Sequence, residues 1–214
     1  MSVQIGAVRE AHRFDEGALG NYLEKHVDAF AGDLQVEQID AGQSNPTFRI
    51  QSGGRYFVLR KKPPGKLLPK AHMVEREYRI MKALKHTDVP VPQVLHLCED
   101  PSVIGTAFFV MEFVQGRIFW NASLPESAPA ERRAMYEEMN RVLAALHKVD
   151  YESLGLGDYG RPGNYFERQV SRWSRQYVAA KTEELESMDS LMRWLPENRP
   201  PDDGAVSIAH GDFR

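Results

Sequence analysis

A single cysteine, Cys98, stands in a chain of 214 residues. It cannot close an internal disulfide, so the cross-linked framework of small secreted domains is excluded and a reducing compartment, the cytoplasm, is the expectation. The seven histidines do not combine with it at the spacings of a zinc site. No stretch approaches the roughly 20 consecutive apolar residues of a bilayer span, and the N-terminal residues lack the apolar run of a secretion signal. No membrane partner is therefore expected. Neither sign of charge is in large excess: 27 Lys+Arg against 30 Asp+Glu leave −3, which disfavours a general nucleic-acid binder. The Lys61–Lys70 stretch is basic, but it has no interleaved aromatics to form a stacking platform for bases. Internal repeats and low-complexity tracts are also missing.

What is present is the composition of a folded protein, 42% apolar and 27% charged, long enough for one large domain or two small ones. Charge is unevenly spread. Residues 60 to 85 hold nine Lys/Arg and two Glu, a local +7 that suits an anion. From Asp15 to Phe30, Leu19, Leu23, Val27 and Phe30 recur at helical spacing, predicting a short bracing helix. Extended stretches follow at 34–39, 47–50 and 55–60, punctuated by Gly-Gln-Ser-Asn-Pro and Gly-Gly, and read as two antiparallel hairpins. A helix is expected over 71–85, then strands from Val89 and over 107–114. Beyond Gly116 the pattern turns helical, over 131–149 and 165–188, with Met135 and Met139 as helix core. A short strand is expected at Val206–Ala209.

Four features bear on chemistry. On the 71–85 helix, Glu77 falls near the centre of an apolar face formed by Met73, Val74, Tyr78, Ile80, Met81 and Leu84. A carboxylate facing a core needs a cation, and Arg60 at the end of the third strand is the candidate; an edge position, with the carboxylate reaching water, is the alternative. The turn at Gly42–Pro46 offers backbone N–H groups and the Ser44 and Asn45 side chains to a phosphate, or is a plain hairpin turn. His210-Gly-Asp212 places a carboxylate after the expected last strand. Arg168, Arg172 and Arg175 lie at i, i+4 and i+7 on one helix, suiting either an acidic ligand or a solvated face paired with Glu167. His72, His86, His96 and His147 stand singly and read as surface or packing residues. Cys98 has no neighbouring base that would make it a nucleophile. Asp202-Asp203-Gly204 reads as a polar turn.

In this order, the segments Gly-Gln-Ser-Asn-Pro-Thr (42–47), Phe-Val-Leu-Arg-Lys-Lys-Pro-Pro-Gly-Lys-Leu-Leu-Pro (57–69), Val-Glu-Arg-Glu-Tyr-Arg (74–79), Met-Glu-Phe-Val-Gln-Gly (111–116), Arg-Gln-Val-Ser-Arg-Trp (168–173) and His-Gly-Asp (210–212) resemble the kinase-like fold. In detail the chain is similar to the aminoglycoside phosphotransferase/choline kinase family, and most similar to phosphotransferase domains related to, or fused with, acyl-CoA dehydrogenases. The resemblance implies an α+β, two-lobed architecture. Residues 1–113 would form an N-lobe of an N-terminal helix, a five-stranded antiparallel sheet and the Glu77 helix, and 114–214 the first part of a helical C-lobe.

It further implies ATP and Mg²⁺ as cofactors and a small hydroxylated molecule as acceptor, possibly a hydroxyacyl-CoA or hydroxy acid. Ser44 and Asn45 would position nucleotide, and Arg60, where the wider fold has Lys, would contact the α/β phosphates and pair with Glu77. The Glu112 C=O and Val114 N–H would face adenine with Met111 behind them. Asp212 would accept the acceptor's proton. The family's metal-binding Asn, five residues after that aspartate, and its later Asp would both fall past Arg214, so no metal ligand is expected within these residues. The chain therefore reads as part of a longer protein, expected by itself to bind MgATP poorly and catalyse little. From a different class comes a catalytically silent nucleotide-binding or regulatory module attached to an acyl-CoA dehydrogenase.

Overall fold

Side chains that alternate along the strands build a sheet with two unlike faces. The computed structural model, which describes residues 5–40, 45–65 and 72–213, contains β1 (Ile5–Gly6), β2 (Gln35–Ile39), β3 (Thr47–Ser52), β4 (Arg55–Lys61), β5 (Val94–Cys98) and β6 (Phe108–Glu112). They form one antiparallel sheet in the order β1-β2-β3-β4-β6-β5. Phe48 and Ile50 of β3, Phe57 and Leu59 of β4, and Phe108 and Val110 of β6 are buried on one face with Leu19 and Leu23 of α1 (Glu16–His26). Burying each such side chain stabilises by about 1.5–3 kcal/mol. Cys98 belongs to the same cluster, 2% exposed. On the other face α2 (Val74–Leu84) packs against β5 and β6, and Tyr78 meets Phe109 edge-on at 6.2 Å.

Helix α1 begins where Asp15 Oδ1 accepts the Ala18 N–H at 2.8 Å, satisfying one of the donors a helix start leaves over. A polar clamp joins it to β5. Tyr22 stacks on His26 at 4.0 Å, and its hydroxyl donates to His96 Nε2 at 3.0 Å. Burial, with the neighbouring Cys98, pushes the Tyr22 phenol up to about 12. Burial also lowers the His96 pKa, and the charge of His26, its ring 5.4 Å away, lowers it further.

The sheet has six strands where five are expected, because Ile5–Gly6 is too short to carry a period. β5 starts at Val94 and not Val89, since Pro90 and Pro92 have no N–H to give a ladder. The helix expected over 165–188 is two, α4 (Tyr165–Ala180) and α5 (Glu186–Glu197). Lys181 turns to extended backbone and its Nζ binds Glu184 at 2.7 Å, which ends the first helix despite continuous apolar spacing. Val206–Ala209 is not a strand: no described residue pairs with it, and a strand without a partner has no ladder. Met135 and Met139, on α3 (Pro129–His147), are half-buried, because with Phe119, Trp120 and Phe213 they line an open groove of about 1260 Å³.

By compactness the chain divides into residues 1–146 with 212–214, and 147–211, whereas the expected lobe boundary lies at 113/114. The second unit contains α4 and α5, which expose Trp173 and Trp194. No helix among the described residues is long and apolar enough to cross a membrane.

His96 gives the fold a pH dependence of definite sign. Its lowered pKa keeps it neutral when folded, whereas the unfolded chain takes up the proton near the ordinary imidazole value of about 6.5. The unfolded state thus binds more protons as pH falls below that value, and stability present above it is lost on the way down to the folded pKa. The melting temperature, followed by circular dichroism, is expected to fall between about pH 7.5 and 5, and to fall less steeply in His96→Gln. Equal slopes would remove His96 as the source.

Candidate functional site

Position along β4 decides where two adjacent cations go. Successive side chains of a strand point to opposite faces, so Arg60 and Lys61 part company. Lys61 enters the α1 side, 2% exposed, with Nζ 5.1 Å from the Phe14 ring centre, and burial lowers its pKa. Arg60 faces α2. There its Nε donates to Glu77 Oε2 at 2.5 Å, and its Nη2 makes a longer contact of 3.5 Å with Oε1. With side chains 27% and 34% exposed, the two neutralise each other in a half-buried setting. The expectation that Glu77 meets Arg60 holds, and the edge position does not.

Further hydrogen bonds close a ring around this pair. Asn45 Nδ2 donates to Glu77 Oε1 at 2.7 Å, Arg60 Nη1 donates to Thr47 Oγ1 at 3.0 Å, and Thr47 Oγ1 donates to the Asn45 C=O at 3.1 Å. An arginine carries five N–H donors. Three are engaged here, leaving one on each terminal nitrogen without a partner among the described residues.

Sequence reasoning missed Thr47 and His72. Thr47 was accessible by counting. Gly53 and Gly54 both have positive φ, +55° and +73°, and so form the two-residue turn that aligns Ser52 with Arg55 and, five steps back, Thr47 with Arg60. His72 had no such signal. It places Nδ1 2.9 Å from Asn45 Oδ1, a contact across 27 residues, and so has a site partner where a surface or packing role was expected.

The basic stretch is less open than its +7 suggests. Lys61 is buried, Arg60 is paired, and Lys62 binds Glu75 at 2.9 Å. Of the two residues expected to position nucleotide, Asn45 is in the ring and Ser44 lies outside the described residues. Met111 is half-buried on β6, facing the α2 side beside Phe109. Glu112 ends that strand, its N–H donating to the Gln93 C=O at 2.9 Å and its Oε1 accepting the Gln93 N–H at 2.8 Å. Val114 follows, 62% exposed. Asp212 is exposed and belongs to the same compact unit as the sheet; Gly211 before it has φ +81°, a left-handed backbone that favours glycine.

The three arginines of α4 do not act alike. Arg168 donates to the carbonyls of Gly163 and Arg161, the latter at 2.6 Å, and so closes the preceding loop. Arg175 donates to Ser171 Oγ at 2.6 Å. Arg172 is exposed and has no partner among the described residues. Glu167 pairs with Arg199 at 3.1 Å, which corrects the reading that it neutralises its own helix face. Asp202 accepts the N–H groups of Asn164 and Gly204, and these hold its carboxyl below the usual range, as suits a polar turn.

A profile of the phosphotransferase enzyme family matches residues 35–214. Acyl-CoA dehydrogenase family member 11 of Gallus gallus is 53% identical over 220 residues, covering 100% of this chain and 28% of that protein. Acyl-CoA dehydrogenase family member 10 of Mus musculus is 46% identical over 208 residues, 97% of this chain and 19% of that protein. The chain thus spans less than a third of the length of these curated relatives. The crystal structure of a candidate aminoglycoside phosphotransferase from Ralstonia eutropha superposes with a TM-score of 0.82 at 54% identity, covering 94% of this chain and 59% of that one. Macrolide 2'-phosphotransferase of Brachybacterium faecium, at 20% identity and a TM-score of 0.56 over 91% of this chain and 64% of its own, shares the fold. The architecture is therefore the α+β kinase-like fold, and with its profile matched from residue 35 to residue 214 the chain belongs to the phosphotransferase enzyme family.

Proposed function

We propose that this chain forms the nucleotide-binding part of an ATP-dependent phosphotransferase that acts on a hydroxyl of a small molecule. The observation that carries the reading is the braced Arg60 fork. Glu77 and Thr47 fix the guanidinium in the plane of its bonds, and two N–H donors remain for an anion. Paired N–H groups in a rigid plane suit phosphate oxygens better than a lone ammonium does. Family membership supplies the chemical class.

In this reading the Glu112 C=O and Val114 N–H receive the adenine edge with Met111 behind, Ser44 and Asn45 lie beside the phosphates, and Arg60 holds the α/β phosphates. Asp212 orients the acceptor hydroxyl and takes its proton as the oxygen forms a bond to the γ phosphorus. The bond from that phosphorus to the β–γ bridging oxygen breaks and ADP departs. Mg²⁺, the usual companion of ATP, finds no holder among the described residues, where no three His, Cys, Asp or Glu side chains come together. That observation favours the second reading, a nucleotide-binding module without turnover.

For the acceptor, the names of the curated relatives favour an acidic acyl derivative, such as a hydroxyacyl-CoA or a hydroxy acid. Of the three α4 arginines, Arg172 has the most freedom to meet it, since Arg168 and Arg175 already serve their own surroundings. The reading assigns the reaction to the cytoplasm.

Thermal denaturation of the complete native protein with millimolar MgATP tests the nucleotide site, because a ligand of the folded state raises its apparent stability. A rise is expected in the wild type and in Asp212→Asn, with turnover in that variant lower by about 10²–10⁴-fold. A shift without phosphate transfer to any hydroxylated acceptor would decide for the silent module, and no shift would defeat both readings. Arg60→Lys keeps the charge and loses the fork, so the KM for ATP is expected to rise by about tenfold with the melting temperature little changed. An unchanged KM would remove Arg60 from the phosphate site. Charge reversal at Arg172 is expected to raise the acceptor KM and leave that for ATP unchanged, and an unaltered acceptor KM would exclude it from the acceptor site.

A further inference from the structure

His72 is bound to the ring around Arg60 by one contact, and the direction of that contact is set by its neighbours. Asn45 gives its amide N–H to Glu77 Oε1, so its Oδ1 is the group that faces His72. An oxygen accepts and does not donate, so His72 Nδ1 carries the hydrogen. That hydrogen is present both in the neutral Nδ1–H tautomer and in the imidazolium. The contact therefore survives whichever charge His72 carries.

The backbone supplies a second observation. His72 has φ +56°, a left-handed conformation that residues other than glycine disfavour, and it lies immediately before Met73, the N-cap of α2, which has no side-chain cap of its own. The Val74 N–H donates to the His72 C=O at 3.0 Å, and the Glu77 N–H to the Met73 C=O at 3.3 Å. One residue thus touches the start of the Glu77 helix through its backbone and the end of the 42–46 turn segment through its ring. The amide of Asn45 could otherwise turn over and present its oxygen to Glu77, where two acceptors would oppose each other and the carboxylate would swing off Arg60. A donor at His72 forbids that orientation.

Building on the phosphotransferase reading, we propose that His72 is a positioning residue, holding Asn45 through Nδ1–H in the one orientation that braces Glu77 and sets the Arg60 fork for phosphate. It touches no nucleotide itself. Its effect is on nucleotide affinity and not on the transfer step.

Two substitutions separate this role from a merely structural one, both made in the complete native protein. His72→Asn keeps an N–H donor near the Nδ1 position and tolerates the left-handed backbone; His72→Gly relieves the backbone and removes the donor. His72→Gly is expected to raise the KM for MgATP by about fivefold, the equivalent of one hydrogen bond, with kcat within about twofold, while His72→Asn stays near wild type. Without nucleotide, urea unfolding of His72→Gly, Glu77→Gln and the double variant is expected to show coupling, the double variant departing about threefold or more from the product of the single effects on the unfolding constant. Additive effects would overturn the relay whether or not nucleotide binds. Coupling in a protein that fails to bind MgATP would overturn the positioning role together with the phosphotransferase reading. Coupling with binding, but with His72→Gly and His72→Asn raising KM equally or not at all, would overturn the positioning role alone.

Discussion

The Arg60–Glu77 ion pair ties the sheet to helix α2, and the candidate phosphate site depends on it. Neither partner is deeply buried, so the Coulomb attraction alone is modest in a half-solvated setting. Geometry matters more. The Glu77 carboxylate receives Arg60 on one oxygen and Asn45 on the other, and Arg60 reaches on to Thr47, whose hydroxyl returns to the Asn45 carbonyl. Every donor in this ring meets an acceptor, so displacing one member leaves at least two others unmatched. A guanidinium is well suited to such a ring because its donors lie in fixed directions, whereas a lysine ammonium would hold one carboxylate and pivot about it.

The same strand that presents Arg60 hides Lys61. A shift of one residue in the β3–β4 register would exchange them, placing a flexible ammonium against Glu77 and a guanidinium in the apolar core beside Phe14. Register is fixed against that exchange by the Gly53–Gly54 turn and by Phe57 and Leu59, which would be expelled from the core with the same slip. Local turn chemistry and core packing thus act on the electrostatics of the site at a distance.

Much of this was legible in the sequence because it is periodic. Glu77 stands out as a carboxylate amid apolar helix positions, and two-residue alternation marks the strands and the end at which Arg60 sits. What was not legible depends on partners remote in the chain or on local punctuation. His72 meets Asn45 only once the hairpins and α2 are in place. The break at Lys181 is made by a local ion pair within an unbroken apolar pattern, and the stretch at Val206–Ala209 has strand-like residues but no neighbour to pair with. The three α4 arginines looked equivalent by spacing, yet the loop carbonyls beside Arg168 and the Ser171 hydroxyl beside Arg175 make them unequal.

Cys98, closed into the core beneath α1, gives the molecule a built-in reporter. A thiol reagent reaches it only when the helix lifts from β5, an event that must also part Tyr22 from His96. With no second thiol in the chain, the labelling rate has a single origin and measures how often the N-terminal brace opens. Under conditions where closing outpaces labelling, that rate reports the free energy of local opening, which is a different quantity from the stability of the whole chain.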